Sequence, residues 1–130
     1  MNSMPAVSVI VPCRNERDYI ENSIRSILAQ EPPPGGFEVI VADGMSDDGT
    51  RDILTRLASE YPCLRILENS GCIVSTGLNA AIQAAQGAVI VRMDAHTGYA
   101  SDYLRQCMIV LEQTGTDNVG GPWVPKERES

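Results

Sequence analysis

The sequence predicts an α/β domain built on a doubly wound, mostly parallel sheet. Four short apolar runs rich in β-branched residues alternate with stretches in which apolar residues recur every three or four positions. Strands and helices that alternate in this way are joined by right-handed crossovers, which place helices on both faces of a parallel sheet. The 130 residues suffice for one hydrophobic core but not for two. We therefore expect one domain over residues 1–124, with a polar tail or a truncation point at residues 125–130.

The first half of the chain contains two strand and helix pairs. The first strand is expected at residues 7–11, and Pro12 should end it because proline cannot donate to a sheet ladder. A helix with one buried face is expected from residue 18 to about residue 29. Residues 37–42 form the second buried-strand run, and Thr50 opens the second helix.

The second half repeats the pattern. The expected elements are a strand at residues 64–67, a helix around residues 78–85, a strand at residues 88–93, a helix at residues 101–113 and an edge strand around residues 118–120. Gly87 is interpreted as the glycine that ends the third helix.

Composition and charge exclude several classes of protein. The net charge is −7, and the ten Lys and Arg residues are scattered, which argues against a nucleic-acid partner. The four cysteines lie far apart without a Cys-x-x-Cys pair, so neither a zinc knuckle nor a disulfide framework is indicated. The apolar run at residues 6–11 is too short for a signal peptide or a membrane span. We expect a cytoplasmic location.

Three stretches rich in polar and charged residues each follow a predicted apolar strand. They are Pro12 to Glu16, Asp43 to Thr50, and Asp94 to His96. In parallel sheets the carboxyl ends of the strands share one rim, where ligands bind beside loops and helix N-termini. Two strand-end aspartates on that rim predict a site for a nucleotide and a metal.

The loop that begins at Asp43 partly matches the sequence patterns of phosphate-binding and calcium-binding loops but lacks residues that each pattern requires. Residues 44–50 lack the lysine of a phosphate loop, and Asp47 and Asp48 would repel phosphate. The spacing of glycine and the missing closing glutamate argue against a calcium loop. The first strand is not followed by the glycine-rich turn of dinucleotide folds.

Asp43 itself is suited to accept a hydrogen bond from a nucleobase such as uracil, through its N3–H group. The alternative is that Asp43, Ser46 and Asp47 only bind backbone amides and cap the following helix.

Asp94 and His96 are two residues apart and can converge on one ion, a pair that suits manganese or zinc. The alternative is a helix cap and a lone turn histidine. Arg92 lies within the fourth strand and is expected to pair with a carboxylate or reach the rim.

Two further features have open interpretations. The polar cluster of Asn69, Gly71, Gly77 and Asn79 permits close approach of a ligand or simply forms a flexible loop. Trp123 is suited to stack on a sugar or to pack in a core or interface.

Taken together, these stretches resemble the family-2 glycosyltransferases of the GT-A (nucleotide-diphospho-sugar transferase) fold across nearly the whole chain. The matching stretches are residues 7–16, the Asp43 loop, the helix at residues 77–87 and the run at residues 92–96. That run, followed by Tyr99 and Tyr103, is similar to the branch that includes the succinoglycan-type exopolysaccharide glucosyltransferases. The resemblance to this branch implies UDP-glucose as the donor.

The resemblance also implies roles for individual residues. The substrate-binding set would be Pro12, Arg14, Asn15, Glu16, Asp43, Ser46, Asn79 and Asp94. Asp94 would be the first residue of the family's Asp-x-Asp signature, and His96 stands at its third position, where aspartate is usual. The implied metal ligands are Asp94 and His96, and the implied cofactor is Mn²⁺ or Mg²⁺.

The implied reaction is inverting glycosyl transfer to a polysaccharide or lipid-linked acceptor. The metal stabilises the departing nucleoside diphosphate while a carboxylate base deprotonates the acceptor hydroxyl. The resemblance implies that this base lies beyond Ser130, the last residue of the sequence. We therefore expect no catalytic residue in this chain and an inactive fragment. The full-length protein is expected in the cytoplasm, at the inner face of the plasma membrane.

Two other functions remain open. The chain could be a binding module for UDP-sugars without turnover. A nucleotidyltransferase is disfavoured because Pro12 to Glu16 replaces the glycine-rich basic loop that such enzymes carry after the first strand. If residues 119–123 normally pack against a missing half, their apolar face is exposed, and a homo-oligomer is expected.

Overall fold

The computed structural model describes residues 5–71, 74–94 and 99–114. Strands and helices alternate along the chain, as the sequence predicts. The elements are β1 (Val7–Cys13), α1 (Ile20–Leu28), β2 (Phe37–Asp43), α2 (Thr50–Glu60), β3 (Leu64–Glu68), α3 (Val74–Ala84), β4 (Val89–Arg92) and α4 (Tyr103–Thr114). The edge strand predicted at residues 118–120, Trp123 and the polar tail that ends at Ser130 lie outside the described residues.

The four strands form one parallel sheet in the order β3-β2-β1-β4. Val9 of β1 stands opposite Val39 of β2 on one side and Val91 of β4 on the other. Because β1 and β2 are central and carry the first two polar loops, their carboxyl ends place those loops next to each other.

The core lies on both faces of the sheet. Valines at alternate positions of β1, such as Val9 and Val11, pack with Leu54 of α2 on one face. Ile10 of β1 packs with Ala81 of α3 on the other. Successive side chains of β1 thus point to opposite faces of the sheet, and each face is covered by helices. This confirms the doubly wound architecture.

Pro12 does not end β1, contrary to the sequence prediction. The strand continues to Cys13, and Pro12 stands opposite Ala42 of β2. The Ile10 carbonyl accepts from Met93 N–H on the β4 side, and Pro12 shares that orientation two residues on. Because β4 ends at Arg92, the missing N–H of Pro12 removes no ladder hydrogen bond.

Gly87 does not serve as the terminal glycine of α3, which already ends at Ala84. The described glycines with positive φ are Gly35, Gly36 and Gly49, so Gly87 is not left-handed. A Cβ at Gly87 would lie 2.7 Å from the Ser8 nitrogen. Close approach of the chain to β1 is therefore the reason for glycine at this position.

Within the described residues, no helix has the length and apolar character needed to cross a membrane. The described cysteines Cys13, Cys63 and Cys107 are free thiols.

Candidate functional site

The loops after β1 and β2 are joined through Asn15 and Ser46. Asn15 N–H donates to Ser46 Oγ at 2.8 Å, and Asp47 N–H donates to Asn15 Oδ1 at 2.9 Å. Asn15 and Met45 adopt left-handed backbone conformations, with φ of 53° and 62°. Non-glycine residues adopt this conformation when surrounding contacts hold it, so the two loops fix each other.

A second set of bonds joins the β1 loop to the start of α2. Glu16 N–H donates to Thr50 Oγ1 at 3.0 Å, and Arg17 N–H donates to Asp48 Oδ2 at 3.2 Å. Asp48 Oδ1 also accepts from the Thr50 N–H at 3.0 Å. Hydrogen bonds from Thr50 lower the pKa of Asp48. Of the loop aspartates, Asp48 binds the amide at the start of α2.

Asp43 is the buried acid of the site. Its carboxylate is 1% exposed, and Oδ2 accepts from Arg51 Nε at 2.9 Å. Oδ1 accepts from the Ser46 hydroxyl, and Cys13 Sγ lies 3.8 Å away. Burial and the nearby Asp43 charge raise the pKa of Cys13, so this thiol stays protonated. Asp43 therefore binds side chains, not the backbone amides of a helix cap.

An open cleft of about 430 Å³ adjoins the joined loops and is lined by residues 15–19, Asp47 and Asp48. Asn15 and Glu16 of the predicted substrate-binding set line it directly. Pro12 is half-buried, and Arg14 is exposed. The stem of Arg14 covers Gly44, where a Cβ would lie 3.3 Å from Arg14 Cβ. The β1 loop thus brings four predicted residues to the same rim.

Asp94 follows β4 on the other side of β1. Arg92 Nε donates to Asp94 Oδ1 at 3.0 Å, which confirms the predicted pairing of Arg92. Asp94 N–H donates to the Tyr99 hydroxyl at 2.8 Å. The Tyr99 ring packs against Tyr103 of α4, with ring centroids 4.8 Å apart. The backbone of Asp94 is therefore tied to α4 through two aromatic rings.

Asp94 is the described member of the predicted metal-binding pair. The Asp94 side chain is 39% exposed, so its carboxylate can reach a cation. Among the described residues no group of three or more His, Cys, Asp or Glu side chains could hold a metal. His96 lies outside the described residues. The Asp94 carboxylate carries oxygen donors of the kind that manganese and magnesium prefer.

The polar cluster after β3 is held by protein contacts. Thr76 Oγ1 donates to Asn69 Oδ1 at 2.8 Å. A Cβ at Gly77 would lie 2.9 Å from Asn69 Nδ2, so this glycine makes room for Asn69. Asn79 is exposed on the second turn of α3. The structure does not place Asn79 against Asp43 or Asp94.

Arg51 is a site residue that the sequence reasoning missed. It lies in the first turn of α2, where the positive end of the helix dipole disfavours a cation. A basic residue at such a position signals a nearby carboxylate, and here that carboxylate is Asp43. The sequence does not predict the pairing of Arg51 with Asp43, because it depends on how α2 packs against the end of β2.

The general base is expected beyond Ser130, and residues 115–130 lie outside the described residues. Its position beyond Ser130 therefore stays a prediction, as does the absence of a catalytic residue from this chain.

A sequence model of glycosyl transferase family 2 matches residues 8–130 of the chain. The chain belongs to glycosyl transferase family 2. Succinoglycan biosynthesis protein ExoA of Rhizobium meliloti is 37% identical over 113 residues, which cover 85% of this chain and 34% of that protein. A beta-monoglucosyldiacylglycerol synthase of Trichormus variabilis is 37% identical over 127 residues, covering 95% of this chain and 26% of that protein. The chain thus spans only 26–34% of the length of these two family-2 relatives.

Solved structures show the same fold. The mannosyltransferase PcManGT of Pyrobaculum calidifontis, in complex with GDP-Man and Mn²⁺, matches with a TM-score of 0.76 and 34% identity. That match covers 84% of this chain and 33% of the other. S. aureus TarS in complex with UDP-GlcNAc matches with a TM-score of 0.73 and 27% identity, covering 92% and 37%. These likenesses confirm the predicted family and the GT-A type of fold.

Proposed function

We propose that this chain is the donor-binding part of an inverting glycosyltransferase that uses a UDP-sugar, with UDP-glucose as the donor. The observation that carries the proposal is the buried, acceptor-only carboxylate of Asp43 behind two loops that fix each other at the rim of the sheet. Two loops that fix each other at the carboxyl ends of parallel strands suit a planar base.

The proposed residue roles are those that the family resemblance implies. Pro12, Arg14, Asn15 and Glu16 line the nucleoside pocket, and Asp43 accepts from uracil N3–H. A base reaches Asp43 only when neighbouring side chains move aside, because the carboxylate is 1% exposed. Ser46 supports this role by bonding Asp43 and Asn15 at the same time. Asn79, which is exposed on α3, completes the proposed set.

The diphosphate end of the site centres on Asp94. Asp94 and His96 would hold Mn²⁺ or Mg²⁺, which supplies positive charge for the departing diphosphate. Tyr99 fixes the Asp94 backbone, and Arg92 places a positive charge beside its carboxylate. The Mn²⁺ bound in the related mannosyltransferase supports this proposal. No residue of this chain is proposed as the general base, which we place beyond Ser130.

The donor and acceptor are inferred from the relatives. The likeness to a succinoglycan biosynthesis protein supports a saccharide or lipid-linked saccharide acceptor, and the UDP-GlcNAc bound by TarS supports a UDP-sugar. The related structure with GDP-Man makes GDP the informative comparison ligand. We place the protein in the cytoplasm, at the inner face of the plasma membrane.

Calorimetric titration of UDP and GDP into the chain, with and without Mn²⁺, tests the proposal. We expect UDP to bind more tightly than GDP and to need the metal for full affinity. Absence of binding by either nucleotide in both conditions would contradict the proposal.

Asp94→Asn tests the metal assignment. The substitution should weaken UDP binding by about tenfold with Mn²⁺ present and leave metal-free binding unchanged, because it removes one charged ligand. Asp52→Asn, at an exposed position of α2, is the matched control. Equal weakening with and without metal would assign Asp94 a purely structural role.

A further inference from the structure

The Asp43 carboxylate has little hydrogen-bonding capacity left. An ionised carboxylate has about four acceptor positions on its two oxygens. On Oδ1, one is taken by the Ser46 hydroxyl, and the Cys13 thiol faces the other at 3.8 Å. On Oδ2, Arg51 Nε–H takes one at 2.9 Å. One acceptor position on Oδ2 therefore remains for a ligand.

Arg51 determines which position remains. Its Nε–H bonds Oδ2, while its Nη2 lies 3.7 Å from Glu68 Oε1 at the end of β3. A guanidinium is a rigid planar fork, so the Nε–H hydrogen bond to Asp43 and the attraction of the Glu68 charge together restrict its orientation. The Arg51 side chain is 37% exposed, whereas Asp43 is buried. The partly exposed Arg51 thus orients the buried Asp43.

We propose that Arg51 is a positioning residue that sets the base selectivity of the donor site by fixing the Asp43 carboxylate. The inference rests on the proposed function, since it requires a nucleobase at Asp43. With Arg51 in place, the remaining lone pair accepts one N–H from a uracil edge. Cytosine presents an acceptor at its N3 position, so the two acceptors would face each other without a proton between them.

Loss of Arg51 removes this constraint. The carboxylate gains a second open position on Oδ2 and can rotate toward donors placed elsewhere on a base, such as the cytosine amino group. A carboxylate held in one orientation rejects a base that presents an acceptor to it, because the buried acceptors stay unpaired. A carboxylate that can rotate finds another donor and distinguishes the bases less. The selectivity of the site, more than its total affinity, therefore depends on Arg51.

The test measures UDP, CDP and GDP binding to the whole chain by calorimetry with Mn²⁺, for the unchanged protein, Arg51→Gln and Arg51→Lys. The ratio of UDP to CDP affinity should fall about tenfold in Arg51→Gln. Arg56→Gln, at an exposed position of the same helix, should keep the ratio. Arg51→Lys keeps the charge that pairs with buried Asp43, so it remains informative if Arg51→Gln fails to fold; its single ammonium group should still lower the ratio.

The outcomes separate the inference from the proposed function. If the unchanged chain prefers UDP and both folded Arg51 variants keep that preference, the inference is overturned and the proposed function stands. If UDP and CDP affinities fall equally, Arg51 is merely structural and the inference is again overturned. A chain that binds no nucleotide overturns both.

Discussion

Glu38 is a buried carboxylate near the amino-terminal end of β2, whereas Asp43 stands at its carboxyl end. Oε2 accepts from the Ser8 hydroxyl at 2.6 Å and from Gln86 N–H at 2.8 Å, and Oε1 accepts from Arg65 Nη2 at 2.9 Å. Burial acts to raise the pKa of Glu38, but these hydrogen bonds outweigh it and leave the pKa below its ordinary value of 4.5. Folding therefore favours the ionised form.

Glu38→Gln should lower the free energy of unfolding at neutral pH by about 2 kcal/mol, because the buried charge that Arg65 pairs with is lost. In the unchanged chain the contribution of Glu38 is fully present above pH 4.5, the ordinary value of its pKa, and is lost as pH falls through its lowered pKa. In Glu38→Gln the free energy of unfolding should therefore decrease less steeply as pH falls below 4.5 than it does in the unchanged chain. Urea denaturation at several pH values measures both effects.

Glu60→Gln serves as the control, since Glu60 is an exposed partner of Arg25 and should contribute about 0.5 kcal/mol or less. Equal losses in the two variants would contradict the role assigned to Glu38. The sequence contains no local signal for this network, because its three side chains come from three different strands and meet only when the strands are in register.

Gln30 joins two helices that are far apart in the chain. It is 3% exposed just after α1. Its Nε2 donates to the Ala100 carbonyl at 2.6 Å, and its Oε1 accepts from Leu104 N–H at 3.1 Å. Glu31 N–H also donates to the Ser101 carbonyl at 2.8 Å. The start of α4 is therefore held by the end of α1, and α4 in turn carries Tyr103 beneath Tyr99.

Gln30→Met should destabilise the chain by about 2 kcal/mol, since a side chain of similar size leaves the Leu104 amide and the Ala100 carbonyl without this partner. Hydrogen exchange of the Leu104 amide should accelerate more than that of amides in α2. Arg105→Gln removes an exposed ion pair to Glu31 nearby and should have a small effect. Unchanged exchange at Leu104 would contradict the proposed link.

Element order was predictable from the sequence because apolar periodicity is a local property. Strand β2 and helix α2 were expected from residues 37 and 50 and begin there. Pro12 and Gly87 were misinterpreted because their roles depend on which strand lies beside them. The candidate site was predictable at the level of polar strand ends, whereas the Arg51 to Asp43 pair required the packed structure.

At the scale of the whole molecule, β4 is an edge strand among the described residues. One side of β4 pairs with β1, and no described strand pairs with its other side. On α4, Ile109 is exposed. Exposed apolar side chains favour contact with a second copy, whereas the net charge of −7 opposes it.

We therefore expect the chain to form dimers or larger species at high concentration, and to do so more readily as added salt screens the charge. Multi-angle light scattering over a range of concentration and ionic strength measures this. A sharp monomer mass throughout would contradict the prediction.

The bonds between the β1 and β2 loops join residues 31 to 34 positions apart, all within the first two strand and helix pairs. Asp94 and its tyrosine support come from the last part of the described chain. The two parts of the candidate site, the joined loops and the Asp94 region, thus come from separate stretches of the chain. Under the proposed function, genetic exchange downstream of β3 would change the part of the chain that carries Asp94 and leave the joined β1 and β2 loops unchanged.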